Sequence, residues 1–437
     1  MANMTDMNTE QNKLKLKELL AIGIGAMIGG GIFSVMGLAV SITGNATPIA
    51  FALGGVLALV AGYSYIKLAL AFRDDGASFT YLEKAFPDKP FIASITGWTV
   101  ILGYIGTMAL YAFTFGAYGS ELLGHNESTV LRQLLSVGII LFFMIINLYG
   151  AKSSGRTEDI IVYTKVMLLG LLAIAGLRGV HASELSPFMD RGVLSVFMAA
   201  ALIFVAFEGF QLITNTIFET AEPARNIPRS IYGSIAIVTV IYVLLSFIAV
   251  GSLPASQLIA AKEYALAVAA EPVLGNGGRI LVSIAALLAT ASAINATILG
   301  ASRMMAQMAS QQEMPKAFSF RNKEAVPWMA VVTMAILTII LTCFGGLELI
   351  AAFSSMTFLL VSLGISLANL KLHKQTQSKP WLVVTGAILL AVTILTLLIY
   401  LMTNAPSQLL WIGCLFLFAV CSELFFKRNR SKTEGHE

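Results

Sequence analysis

The stretch AMIGGGIF, Ala26 to Phe33, lies inside an apolar run that starts at Leu19 and ends near Gly44. Successive glycines are poor helix formers, each costing about 1 kcal/mol relative to alanine, yet the run around them has the length and composition of a membrane span. Unwound backbone at membrane depth persists only where it is buried in protein or lines a cavity. The interruption therefore predicts a chain with enough further spans to shield it. Glycine also permits the φ angles that a break needs and lets a ligand approach the backbone closely.

The rest of the chain fits that demand. Of its 437 residues, 57% are hydrophobic and 12% charged, about half the charge of a soluble protein. Apolar runs of about 20 residues, each able to cross a hydrocarbon core of roughly 30 Å, recur throughout. They predict an all-α polytopic membrane protein with twelve spans near 17–43, 47–71, 91–121, 131–150, 158–178, 193–218, 228–251, 277–309, 326–344, 347–370, 380–402 and 407–426. No stretch suits a separate soluble domain. The first run is too long for a signal-peptide core and lacks a small-residue cleavage site, so it reads as a retained span. Cys343, Cys414 and Cys421 sit in apolar stretches, and His125, His181, His373 and His436 are dispersed in loops and tails. This pattern predicts neither a disulfide framework nor a metal centre.

Lys and Arg orient the spans. With the N-terminus inside, the outer loops hold Arg132, Arg178, Arg191, Lys262 and Arg279, and Lys67 and Lys165 fall within spans. The remainder of the 28 basic residues lie on the inner side. The expectation is a multi-pass protein of the cell membrane with both termini cytoplasmic. The net charge of +4 follows from this bias and gives no reason to expect nucleic acid.

A second interruption, FEGF at Phe207–Phe210, falls within span 6. It matches the first in position if 17–178 and 193–370 are two five-span repeats and 380–426 adds two helices. Paired interruptions in corresponding positions are the best sequence pointer to a transporter's binding site. A break in span 1 creates a helix N-terminus near Ile32, where the N–H groups of Gly29, Gly30 and Gly31 carry part of a positive half-charge and can receive a carboxylate. Span 6 runs the other way, and its first half ends near Phe207 with carbonyls available to an ammonium. Donors for an anion beside acceptors for a cation suit an α-amino acid. Close helix packing through Gly25 and Gly29 is the plainer reading of the same glycines. A phosphate-binding loop is excluded by the missing G-x-x-x-x-G-K-[ST] pattern.

Five motifs in order carry a family resemblance: GIGAMIGGGIF (Gly23–Phe33), DDGASFTYLEKAF (Asp74–Phe86), FVAFEGFQ (Phe204–Gln211), ETAEPARNIPRSI (Glu219–Ile231) and SRMMAQMASQQEMPKAF (Ser302–Phe318). Together they resemble an amino acid permease of the amino acid–polyamine–organocation superfamily, from about Leu14 to Lys374. The resemblance implies a LeuT-like fold of five plus five inverted spans with discontinuous helices 1 and 6. It also implies a substrate site in which Met27, Gly29, Gly30 and Gly31 meet the carboxylate side. Phe204, Phe207 and Glu208 would meet the amino group or line the side-chain pocket, with Phe207 a possible gate. Pro254–Gly275 resembles an outer lid.

Lys165, in TEDIIVYTKVMLLG, is a charge at mid-helix, which is costly and normally faces a bundle interior. It resembles a span 5 lysine that takes the place of sodium in sodium-independent members, which implies proton coupling or exchange. A purely structural tie between helices is the alternative. Three readings fit Glu208: a partner for a cationic substrate side chain, a proton acceptor, or a local backbone cap. The family often carries an acidic residue where this chain has Gln211, which leaves Glu208 as the carboxylate of the expected pocket. Lys67 departs from a glutamate common in the family and reads as a snorkelling side chain. Ser354, Ser355, Thr357, Tyr104 and Tyr111 are candidates to line the pathway, and helical packing explains them as well. The expected function is secondary transport of amino acids by alternating access. Polyamine or other organic-cation transport is the alternative, and a channel, a sensor or an enzyme fits less well. A monomer and a homodimer are both compatible with the sequence, and no cofactor is expected.

Overall fold

A computed structural model describes residues 13–73, 77–125, 127–150 and 155–434. Asp74, Asp75 and Gly76 of the second motif, and Lys152 among the inner charges, lie outside the described residues. Among those described, every regular element is helical apart from one isolated parallel bridge between Leu14 and Thr220.

The first interrupted span consists of α1 (Leu16–Met27) and α2 (Gly31–Thr43). A 3-10 turn, Gly44–Ala46, leads into α3 (Thr47–Phe72). There follow α4 (Ala77–Ala85), α5 (Pro90–Leu122), α6 (Thr129–Leu148) and α7 (Gly155–Gly176). The second interrupted span begins with α8 (Gly192–Leu202), tightens into a 3-10 turn at Ile203–Phe207, breaks at Glu208 and Gly209, and resumes as a 3-10 stretch, Phe210–Glu219. Next are α9 (Pro223–Ser252), the short α10 (Ala255–Ala261) and α11 (Ala265–Ser310), which kinks at Gly275 with φ +64°. The chain ends with α12 (Trp328–Phe344), α13 (Leu347–Lys371), α14 (Pro380–Asn404) and α15 (Pro406–Glu434).

Helices fall in all twelve expected ranges, and among the described residues ten segments are long and apolar enough to cross a membrane by length and composition. The two counts differ for physical reasons. The 3-10 turn runs α2 into α3 as one 42-residue segment, Gly31–Phe72, and α12 is a shorter apolar helix of 17 residues. The chain is a multi-pass membrane protein.

Two packing groups surround the breaks. One holds α1, α2, α3, α8 and α9, with α9 packed along α3 and α1. The other holds α5, α6, α11 and α12, with α5 packed along α11. The apolar window of α5 is 94% buried and that of α6 only 11%, so α5 is interior and α6 presents its apolar surface outward, to lipid. At the end where the N-terminal segment enters, Leu14 N–H donates to Glu219 O (2.7 Å) and Ala221 N–H to Leu14 O (2.9 Å). These bonds tie the start of α1 to the end of the second interrupted span.

Gly209 is the residue that permits the second break. Its φ is +130°, a region that L side chains rarely adopt. A Cβ there would meet the carbonyl carbon of Ala26 at 2.8 Å and Met27 N at 2.9 Å. Gly209→Ala is therefore expected to destabilise the protein by at least the ~1–3 kcal/mol of a strained backbone site. A fall in the thermal unfolding temperature in detergent checks it, and an unchanged transition would contradict it.

Candidate functional site

The two breaks meet each other. Gly209 lies against the Ala26–Met27 backbone, and a Cβ on Gly31 would come within 2.7 Å of Ala206 Cα. The first break is also wedged against the other packing group: a Cβ on Gly30 would meet Tyr111 Cδ1 at 2.7 Å and Tyr111 Cα at 3.0 Å, and one on Gly29 would meet Ala293 Cβ at 3.0 Å. This corrects one part of the expected role of the glycine run, its need for unusual φ angles. Gly29, Gly30 and Gly31 are absent from the positive-φ residues, and Gly30 sits at φ −72°, ψ −15°. Their requirement is close approach, not left-handed backbone.

The unwound segment leaves carbonyls at the end of α1 and N–H groups at the start of α2 without intrahelical partners. Side chains from distant helices satisfy several of the carbonyls. Lys165 of α7, 2% exposed, donates from Nζ to Ile28 O (3.1 Å) and Gly25 O (3.4 Å). Its ammonium thus stands at the negative end of the α1 dipole, where a cation is favoured. Tyr242 of α9 places its hydroxyl 2.7 Å from Met27 O and 3.1 Å from Ala206 O, so one phenol spans both breaks. Tyr111 of α5 reaches Ala26 O at 3.5 Å. In α2 the first regular bond runs from Ser34 N–H to Gly30 O (3.0 Å), which leaves the N–H groups of the preceding residues directed to the break.

At the second break Ser355 of α13 acts as a cap: its Oγ donates to Leu202 O (2.6 Å) and accepts from Val205 N–H (2.9 Å). Part of the carbonyl set expected for an ammonium is thus occupied by Ser355 and Tyr242. Glu208, 4% exposed, accepts from Gln211 Nε2 at 2.8 Å, and among the described residues no basic side chain lies within 4 Å of its carboxylate. Phe204 and Phe207 are fully buried. The Phe207 ring packs onto Gly54 of α3 and meets Tyr242 edge-to-face at 5.3 Å. Met27 is buried and offers its carbonyl to Tyr242.

The structure thus places Met27, Gly29–Gly31 and Lys165 at the first break and Phe204, Phe207 and Glu208 at the second, with the two breaks in contact through Gly31, Gly209 and Tyr242. Of the other candidates, Ser354 and Thr357 bond to their own helix, at Ile350 O and Phe353 O. Lys67 reaches Gln377 O at 3.1 Å, as a snorkelling lysine would. Tyr242 went unrecognised in the sequence. Its only signal there is a phenol in the otherwise apolar run IVTVIYVLLSF, and nothing local says where the hydroxyl points.

The family model described as amino acid permease matches residues 14–429. An uncharacterized protein of Methanocaldococcus jannaschii is 32% identical over 98% of both chains. The inner membrane transport protein YbaT of Escherichia coli is 29% identical over 97% of this chain and 100% of its own length. The serine/threonine exchanger SteT of Bacillus subtilis is 27% identical over 74% of this chain and 76% of its own.

Tyr242→Phe removes one hydroxyl and keeps the ring contacts with Phe207 and Phe51 (5.7 Å). It removes the single O–H proton shared by Met27 O and Ala206 O, a loss of about 1–3 kcal/mol for a buried polar group. Lower thermal stability with an unchanged oligomeric profile is expected in detergent; a variant as stable as the parent would show that the phenol does not join the breaks.

Proposed function

The chain belongs to the amino acid permease family, and from that premise we propose that it is a sodium-independent secondary transporter of amino acids. It would work by alternating access across the cell membrane, with both termini cytoplasmic. The observation that carries the proposal is the docking of two interrupted helices of opposite polarity, with a lysine ammonium on the exposed carbonyls of the first.

In this reading the substrate carboxylate takes the N–H groups at the start of α2, with Met27, Gly29, Gly30 and Gly31 around it. The substrate ammonium takes the remaining carbonyls of the 203–207 turn and Glu208. Phe204 bounds the side chain. Phe207 already fills the space between Gly54 and Tyr242, so a gating motion would first have to free its ring. The group α1, α2, α3, α8 and α9 would rock against α5, α6, α11 and α12, two units that match the way the helices pack. The segments 17–178 and 193–370 would be the inverted repeats. Lys165 would supply a positive charge where a sodium ion would otherwise sit. Coupling to protons, or obligatory exchange, would run through Lys165, Glu208 or both. The name of the SteT relative favours exchange.

Several amino acids are expected to raise the unfolding temperature of the purified protein in sodium-free buffer. Stabilisation by amines that lack a carboxylate, with none by amino acids, would instead favour an organic-cation transporter, the reading that Glu208 and its neutral partner Gln211 leave open.

Two variants test the site in proteoliposomes. Lys165→Ala removes the donor to Gly25 O and Ile28 O, and uptake should fall at least tenfold with membrane insertion retained. Gly30→Val drives a side chain into the Tyr111 backbone and should abolish uptake while the protein still inserts. Normal uptake by the second variant would remove the break from the transport site.

A further inference from the structure

A cavity of about 520 Å³ lies at the end of the bundle opposite the Leu14–Thr220 bridge. Its volume is in the range of small-molecule sites, and none of the residues at the two breaks lines it. Its walls come from the second half of α2, from Phe113 of α5, Arg132 of α6, the α10 region with Glu263, the turn into α13 with Glu348, and Gln408 of α15.

We propose that this cavity is a second amino-acid binding station, in which Glu348 anchors the ammonium and Arg132 the carboxylate. The proposal rests on the reading that the chain carries amino acids. Glu348 accepts from Tyr400 Oη (2.6 Å) and from Gln408 Nε2 (2.8 Å). Both donors are neutral, and among the described residues no basic side chain lies within 4 Å of the carboxylate. Gln408 Oε1 is buried and has no hydrogen-bond partner. An ammonium in the cavity would balance the Glu348 charge, and its several N–H donors suit a carboxylate.

Arg132 is arranged for the opposite end of the ligand. Its guanidinium lies over the Phe113 ring, with its central carbon 4.2 Å from the centroid. The Glu263 carboxylate stands 3.8 Å away, beyond direct hydrogen-bond distance. A guanidinium carries five N–H donors in a planar fork suited to a carboxylate, so most of that capacity remains for a ligand. Of the charged residues lining the cavity, Arg132 and Lys262 oppose Glu263 and Glu348. The formal charges cancel, which suits a zwitterion better than a free cation or anion. Leu38, Ile259, Leu347 and Leu349 give an apolar wall for the side chain.

The site also gives the last two helices a task. Tyr400 ends α14 and Gln408 begins α15, and together they hold the Glu348 carboxylate.

Equilibrium dialysis of the detergent-purified protein against a radiolabelled amino acid, chosen as the strongest thermal stabiliser, tests the proposal. Four proteins are compared: the parent, Glu348→Gln, Gly30→Val and the double variant. The expected stoichiometries are two per chain, one, one and none. Arg132→Gln should weaken the station lost in Glu348→Gln at least tenfold. Glu348→Gln keeps an acceptor for Tyr400. If it is not recovered as a monodisperse protein, Gln408→Met removes the Nε2 donor that holds the Glu348 carboxylate in place and tests the same station. A single parental site lost in Gly30→Val and untouched in Glu348→Gln overturns the second station and leaves the central site standing. A single site lost only in Glu348→Gln keeps the station and overturns the central one. No binding in any protein overturns both.

Discussion

The contact on which the rest of the structure depends is backbone against backbone: Gly209 on Ala26 and Met27, and Gly31 on Ala206. Two helices can be interrupted at membrane depth only if each shields the other's opened amides from lipid. That shielding requires an approach closer than any side chain allows. The glycines serve this approach first. The helix polarity that could receive an amino acid is a by-product of where the breaks fall.

Opened helices leave a debt of unpaired carbonyls, and the molecule settles it with side chains from four other helices. Lys165, Tyr111, Tyr242 and Ser355 belong to α7, α5, α9 and α13, and each donates to a carbonyl at or beside a break. The breaks are consequently the point at which both packing groups are joined. Tyr111 and Lys165 reach in from outside the group that carries the breaks, so a movement of one group past the other changes the hydrogen bonding of the break itself.

Much of this was legible in the sequence because the membrane makes exceptions conspicuous. Glycine runs, Glu208 and Lys165 stand out against an apolar background in a way they would not in a soluble protein. What stayed hidden was direction. Tyr242 is one phenol in an apolar helix, and its partner Met27 lies 215 positions away. Ser355 read as a pathway residue, and the structure has it capping a helix end. The φ argument for Gly29–Gly31 failed because a break can be made with ordinary dihedrals, as at Gly30, while Gly209 does need the unusual one. Span limits were recovered well, since length and hydropathy are one-dimensional quantities. The join of α2 to α3 through a helical turn was not, because Gly44–Ala46 can turn without losing its backbone bonds.

The bridge at Leu14 has a mechanical meaning. Its two amide bonds clasp the near end of α1 to residues 219–221, while the glycine contact clasps the far end of α1 to Gly209. A rod fastened at both ends to its neighbour cannot swing alone. The half-helix before the first break and the stretch after the second therefore form a single crossbar, and neither can be displaced without the other.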